Sequence, residues 1–150
     1  MAIKSFRGLL TDGGIDTIVL HTNTGSTGYR IVKFQIMTNA ISTASVEHTM
    51  QIFKIPQAEG SATQEIDFSD NTLLAAAVTV SRVDAFNAPI TQEVIFDNEI
   101  FNQDIYITHK DSQSSQSCNY YIELESMPLA LDESTVATLK DIKNIESSTL

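Results

Sequence analysis

Apolar side chains recur at every second position in four stretches of this chain: Tyr29–Met37, Val46–Ile55, Asp104–Lys110 and Cys118–Ser126. A period of two sends alternate side chains to opposite faces of an extended strand, whereas a helix needs a period of 3.6. In the first stretch Val32, Phe34 and Ile36 share one face with Arg30, and Ile31, Lys33 and Gln35 take the other. In the second, Val46, His48, Met50 and Ile52 oppose Glu47, Thr49, Gln51 and Phe53. Ile, Val and Thr make up 41 of the 150 residues, and such side chains are stiff and pack well on a pleated surface.

Turn signals break the pattern every ten to fifteen residues, the spacing of a sandwich or barrel. Thr11-Asp12-Gly13-Gly14 ends a first segment, Ile3–Leu10, and precedes a second, Ile15–Thr22. Pro56 closes Val46–Ile55, and Pro128 closes the last strand. Shorter extended pieces are expected at Gln64–Phe68, Gln92–Phe96 and Glu99–Phe101. Thr72–Arg82 shows no helical stripe and reads as a strand buried on both faces. The polar run Asp111–Ser117 reads as the tip of a hairpin joining Asp104–Lys110 to Cys118–Ser126.

Past Pro128 the period changes. Asp132 is placed as an N-cap, and Val136, Leu139, Ile142 and Ile145 form one apolar stripe, which predicts an amphipathic helix over Glu133–Ile145. The stripe closes the end of the chain's own sandwich or packs on another subunit. The length suits one domain. The expectation is an all-β, antiparallel, jelly-roll-like β-sandwich of about eight strands over residues 1–131. A C-terminal helix and tail at 132–150 would pack on that domain or on a neighbouring subunit.

The formal net charge is −10, and Lys and Arg form no cluster, which argues against a nucleic-acid partner. No apolar run approaches the roughly 18–20 residues of a membrane-spanning helix, so no membrane partner is expected. The first residues lack the apolar core and cleavage site of a secretory signal, so a chain made in the cytoplasm and not exported by the usual route is expected. The single cysteine, Cys118, excludes an intrachain disulfide and argues against a cysteine-based zinc site.

Candidate chemistry is sparse. His21, His48 and His109 have no metal-ligand partner two or four residues away; two of them sit in strands in step with apolar neighbours, and the three read as structural, with a catalytic base as the alternative. Gly25-Ser26-Thr27-Gly28 departs from the spacing of a nucleophile elbow and reads as a loop whose glycines take positive φ. Carboxylates gather in Asp67–Asp70 and Asp97–Asp104; a cation is one reading, and turn carboxylates bonded to their own backbone the other. Tyr106, Tyr120 and Tyr121 would meet across the expected hairpin as packing or as an aromatic contact surface. Cys118 reads as a small buried hydrophobe. No catalytic residue, cofactor or metal is assigned.

The segments Ser26–Met37, Ile66–Leu74, Ile95–Tyr106, Cys118–Glu125 and Thr138–Ile142 resemble, in style and order, small virion structural proteins of tailed phages, marine ones in particular. The resemblance implies a non-enzymatic β-sandwich on the particle, of the head decoration (cement) type, located in the virion. Its partners would be the major capsid protein or other virion proteins, and copies of itself, with a trimer expected. Lys4, Phe6 and Arg7 stand apart from the acidic remainder. They are candidate contacts, on an arm reaching a neighbour or on the domain's own edge strand; Val136, Leu139, Ile142 and Ile145 are the others. A tail, fibre or neck component that binds host glycan or a neighbouring virion protein is the second reading. A small hydrolase using His21, His48 or His109 as base is the third.

Overall fold

The computed structural model describes residues 2–40, 45–81, 91–130 and 138–139. Eight strands follow one another: β1 (Ala2–Leu10), β2 (Ile15–Ile18), β3 (Thr27–Thr38), β4 (Val46–Phe53), β5 (Leu73–Ser81), β6 (Thr91–Phe96), β7 (Ile105–Asp111) and β8 (Cys118–Pro128). They form two antiparallel sheets, one of order β1-β8-β3 and one of order β2-β7-β4-β5-β6. The sheets face each other as a β-sandwich. Their inner faces supply one core, in which Phe34, Ile36, Ile122 and Leu124 meet Met50, Ile52, Ile105 and Ile107.

The strand predictions hold, with four corrections. First, β3 carries a bulge between Ile31 and Lys33. An extra residue inverts the inside–outside parity, so Ile31 is buried in the core and Val32, expected beside Phe34, is displaced from it. Second, β7 and β8 are not a hairpin: β7 pairs with β2 and β4, and β8 with β1 and β3. Residues 111–117 therefore cross from one sheet to the other. Third, residues 64–68 are not a strand. Their segment instead lies against the outer face of β4, where the Gln51 amide donates to the carbonyls of Thr63 and Glu65. That cover explains why Thr49 and Gln51 are buried although they alternate with core residues. Fourth, Glu99–Phe101 adds only one bridge, Tyr29 to Phe101.

As expected, β5 has buried residues on both faces, with Leu74, Ala75, Ala76 and Ala77 consecutive in the interior. Among the described residues, Thr138 and Leu139 have helical backbone, and no helix is delimited around them. The expected helix at Glu133–Ile145 falls outside them except for Thr138 and Leu139. Thr138 Oγ1 accepts a 2.9 Å bond from Asn102 Nδ2, and Leu139 is exposed. Val136, Ile142 and Ile145 lie outside the described residues.

Candidate interaction surface

The register of the three-stranded sheet places its outward side chains in rows. Leu9, Asn119 and Met37 align across β1, β8 and β3, and Arg7, Tyr121 and Gln35 form the next row. Ser5, Glu123 and Lys33 follow. Leu9 is 50% exposed and Met37 65% exposed, which is high for large apolar side chains. They stand roughly 10 Å apart, two strand spacings, on either side of Asn119. With Arg7, Gln35, Tyr121 and Gln92 they line an open cleft of about 760 Å³. The Lys33 ammonium sits 5.7 Å from the Tyr121 ring centre, and the Tyr121 hydroxyl donates to Glu123 Oε1 at 2.8 Å. The face thus combines two aliphatic contacts, one held aromatic ring, amides and the exposed Arg7 guanidinium. Such a mixture is characteristic of a contact surface.

Of the three N-terminal candidates, only Arg7 belongs to this face. Lys4 lies on the other side of β1, 5.6 Å from the centre of the buried Tyr29 ring, and Phe6 packs against the core. The segment is the domain's own edge strand, paired with β8 along Ala2–Leu10, and does not extend from the fold as an arm.

The tyrosines do not form one platform, because the strands expected to bring them together lie in different sheets. Tyr120 is in the core face of β8 and its hydroxyl donates to Asp16 Oδ2 across the sandwich at 2.8 Å. Tyr106 is on β7, and Tyr121 alone faces outward from β8.

The carboxylate runs behave as turn residues. Asp67 accepts from the Ser69 amide and hydroxyl, and Asp70 from the Thr72 amide and hydroxyl. Glu99 pairs with the buried Lys54 at 2.8 Å. Gly25 does take a left-handed φ of 64°. Gly28 does not: it lies in β3, where a Cβ would come within 2.8 Å of the Leu129 side chain, which would have to move to admit one. Ser26 Oγ pairs with Thr24 Oγ1.

His21 is exposed, and its Nδ1 lies 2.8 Å from Asp104 Oδ1, which also accepts the Leu20 and His21 amides. Burial opposes ionisation of Asp104, but the His21 ring and the two amides outweigh it and hold the carboxyl below the usual aspartate range. A depressed folded value stabilises the fold above the unfolded value of 3.8, and that contribution is lost as pH falls through the folded one. Asp104→Asn is therefore expected to cost about 1 kcal/mol at pH 7. It should also flatten the loss of stability below pH 4, measured as urea midpoints across the acid range; an unchanged acid limb would contradict this role.

His48 and His109, read separately above, come together in the fold. They stand on adjacent strands β4 and β7 with His48 Nδ1 2.9 Å from His109 Nε2. Cys118, the first residue of β8, approaches them from the opposite sheet, and the three ligand atoms lie within 4.8 Å of one another. The separations are long and the strands belong to two sheets, so no local spacing could signal the cluster. The chain matches no protein-family model, and no curated protein matches it.

Proposed function

We propose that this chain is a non-enzymatic structural protein of a tailed-phage virion, a head decoration protein that docks through the outer face of β1-β8-β3. The observation that carries the docking assignment is the pair of exposed aliphatic side chains, Leu9 and Met37, flanking Asn119 beside Tyr121. The virion assignment rests on the resemblance of five segments to such proteins. The winding supports it: β1 with β8, β2 with β7 and β4 with β5 are nested pairs, the pattern of a jelly roll, a fold common in capsid and lectin domains. Gln92 of β6 donates to the Ile36 carbonyl of β3 at 3.0 Å, a single link where a complete roll would pair those strands. Fold alone does not decide function. His48 and His109 are buried against each other, which favours a structural role for them over one as a solvent-facing base.

A cement protein stabilises a shell by adding modest contacts at many equivalent junctions, so avidity replaces single-site affinity. Its acidic surface limits adhesion to packaged nucleic acid and to other particles. A homo-oligomer, a trimer in the first instance, belongs to the same proposal.

The test is binding to purified particles stripped of this protein. The double variant Leu9→Asp/Met37→Asp is expected to keep its melting temperature and to bind at least about tenfold more weakly. Unchanged binding would remove the surface assignment. The second reading, a glycan-binding tail or fibre component, is favoured by the Tyr121 ring beside Arg7, Gln35 and Asn119 in the same cleft. Glycan-array signal abolished by Tyr121→Ala, with a copy number far below that of the shell protein, would establish it in place of the first.

A further inference from the structure

We infer that His48, His109 and Cys118 form a buried site for one thiophilic transition-metal ion, with Zn²⁺ as the expected occupant, clasping the two sheets together. All three residues are fully buried, at 1%, 0% and 0% exposure, and their ligand atoms lie within 4.8 Å of one another. Two imidazoles and one thiolate are a donor set that borderline and soft ions select over Mg²⁺ or Ca²⁺.

The surrounding bonds already hold the His109 ring as a metal would require, and they admit the His48 ring after a change of tautomer. His109 Nδ1 faces the Thr11 carbonyl at 2.8 Å, so it carries the proton and Nε2 presents a lone pair inward. His48 Nε2 faces Thr38 Oγ1 at 3.0 Å. That hydroxyl serves either tautomer: it donates when Nδ1–H bonds His109 and accepts when Nδ1 turns its lone pair to the ion. A ligating imidazole with its far nitrogen bonded to a protein oxygen is the usual outer support of a metal site.

The fit needs small movements. Tetrahedral zinc with bonds of 2.0–2.3 Å sets its nitrogens roughly 3.3 Å apart and nitrogen from sulfur roughly 3.6 Å apart. The two nitrogens, at 2.9 Å, must part slightly, and Sγ must close by at most about 1.2 Å, within reach of a rotamer adjustment. Burial pushes the Cys118 thiol up to about 12, so without metal it is protonated. On binding, the S–H bond breaks, the sulfur lone pair forms the metal–sulfur bond, and the proton leaves to solvent. Burial and the neighbouring His109 hold His48 down at about 4, so both rings are neutral at pH 7. Asp111 and Asp12 supply compensating negative charge; Lys110, 3.5 Å from Asp12, is the cation facing the group. The fourth position of the ion falls to a small ligand such as water.

The site is enclosed, so loading accompanies folding. The full chain is refolded from denaturant with and without Zn²⁺, and bound zinc is counted after dialysis; Co²⁺ refolding reads the ligands by absorption. The expected result is one ion per chain, about one proton released per ion, a thiolate-to-cobalt charge-transfer band and a raised melting temperature. Cys118→Ala, which keeps a small apolar side chain in the core, should fold but lose the band, the released proton and most of the zinc. Thr38→Val should weaken zinc binding roughly 10–100-fold. Failure of the wild type to retain zinc, or equal retention by Cys118→Ala, would overturn the site. The three residues would then be a neutral hydrogen-bonded cluster. Neither outcome bears on the docking face, which lies on the opposite side of β8.

Discussion

Asp111→Ala is expected to destabilise the protein by about 3 kcal/mol, with a lower urea midpoint and little change in its slope. Asp111 ends β7 at the point where the chain leaves one sheet for the other, and its residue is buried. Its carboxylate accepts the amides of Glu47, Gln113 and Gln116 at 3.0, 3.1 and 2.8 Å. Burial works against ionisation, yet these three donors and the nearby His48 keep the carboxyl below its ordinary range. Charge-assisted bonds to backbone amides are among the stronger ones, and alanine leaves all three donors without their acceptor. Asp111→Asn keeps one acceptor oxygen and should cost about half as much. If the two substitutions proved equal, the charge and not the count of acceptors would be the stabilising feature. A neutral result for both would mean that the crossing is held by its other bonds, Ser114 Oγ to the Ser45 carbonyl and Asn39 N to the Ser117 carbonyl.

Phe101→Ala is expected to cost about 4 kcal/mol, within the range for a fully buried aromatic side chain. Phe101 is outside the named strands, but its backbone exchanges two hydrogen bonds with Tyr29 at 2.8 and 2.9 Å. Its ring stacks on the Tyr29 ring with centroids 6.4 Å apart. The ring plugs the end of the core beneath residues 97–104, the segment that also carries Glu99 to Lys54 and Asp104 to Leu20 and His21. Alanine keeps the backbone bridge and leaves a cavity, so the loss is one of packing. Phe101→Leu should recover more than half of it. Urea denaturation of the three proteins checks the series, and a cost below about 1 kcal/mol for alanine would show that the loop collapses to fill the space.

The strands were legible because alternation is local. Phe34 and Ile36, or Ile105 and Ile107, need only their neighbours in sequence to declare a face. The pairing was not legible, because Asp111–Ser117 has the composition of a hairpin tip and of a crossing alike. What separates the two is where β1 and β3 lie, a fact held by residues far away in the chain. Gln51 failed for a related reason: alternation marked it as outward, and only the segment at 63–65 makes that face an interior. The bulge at Ile31/Lys33 carries no glycine or proline to announce it. The contact face divides similarly. In the proposed face, Arg7 stands out in the sequence because it departs from the acidic background, whereas Leu9 and Met37, each taken alone, look like ordinary strand residues. Only the register β1-β8-β3 makes them neighbours.

The pairing of β1 with β8 also has a consequence in time. Ala2 lies opposite Ser126, so β1 leaves the ribosome more than a hundred residues before the strand it pairs with. Contacts of such sequence separation are slow to form, since the intervening chain must first be ordered. Throughout that wait β1 displays Ile3, Phe6, Leu9 and Leu10 to a crowded environment, and an unpaired apolar strand invites pairing with its counterpart on another nascent chain. Lys4 and Arg7 interrupt that run at intervals of three. Their charges then protect the growing chain from its own copies before they serve any finished surface.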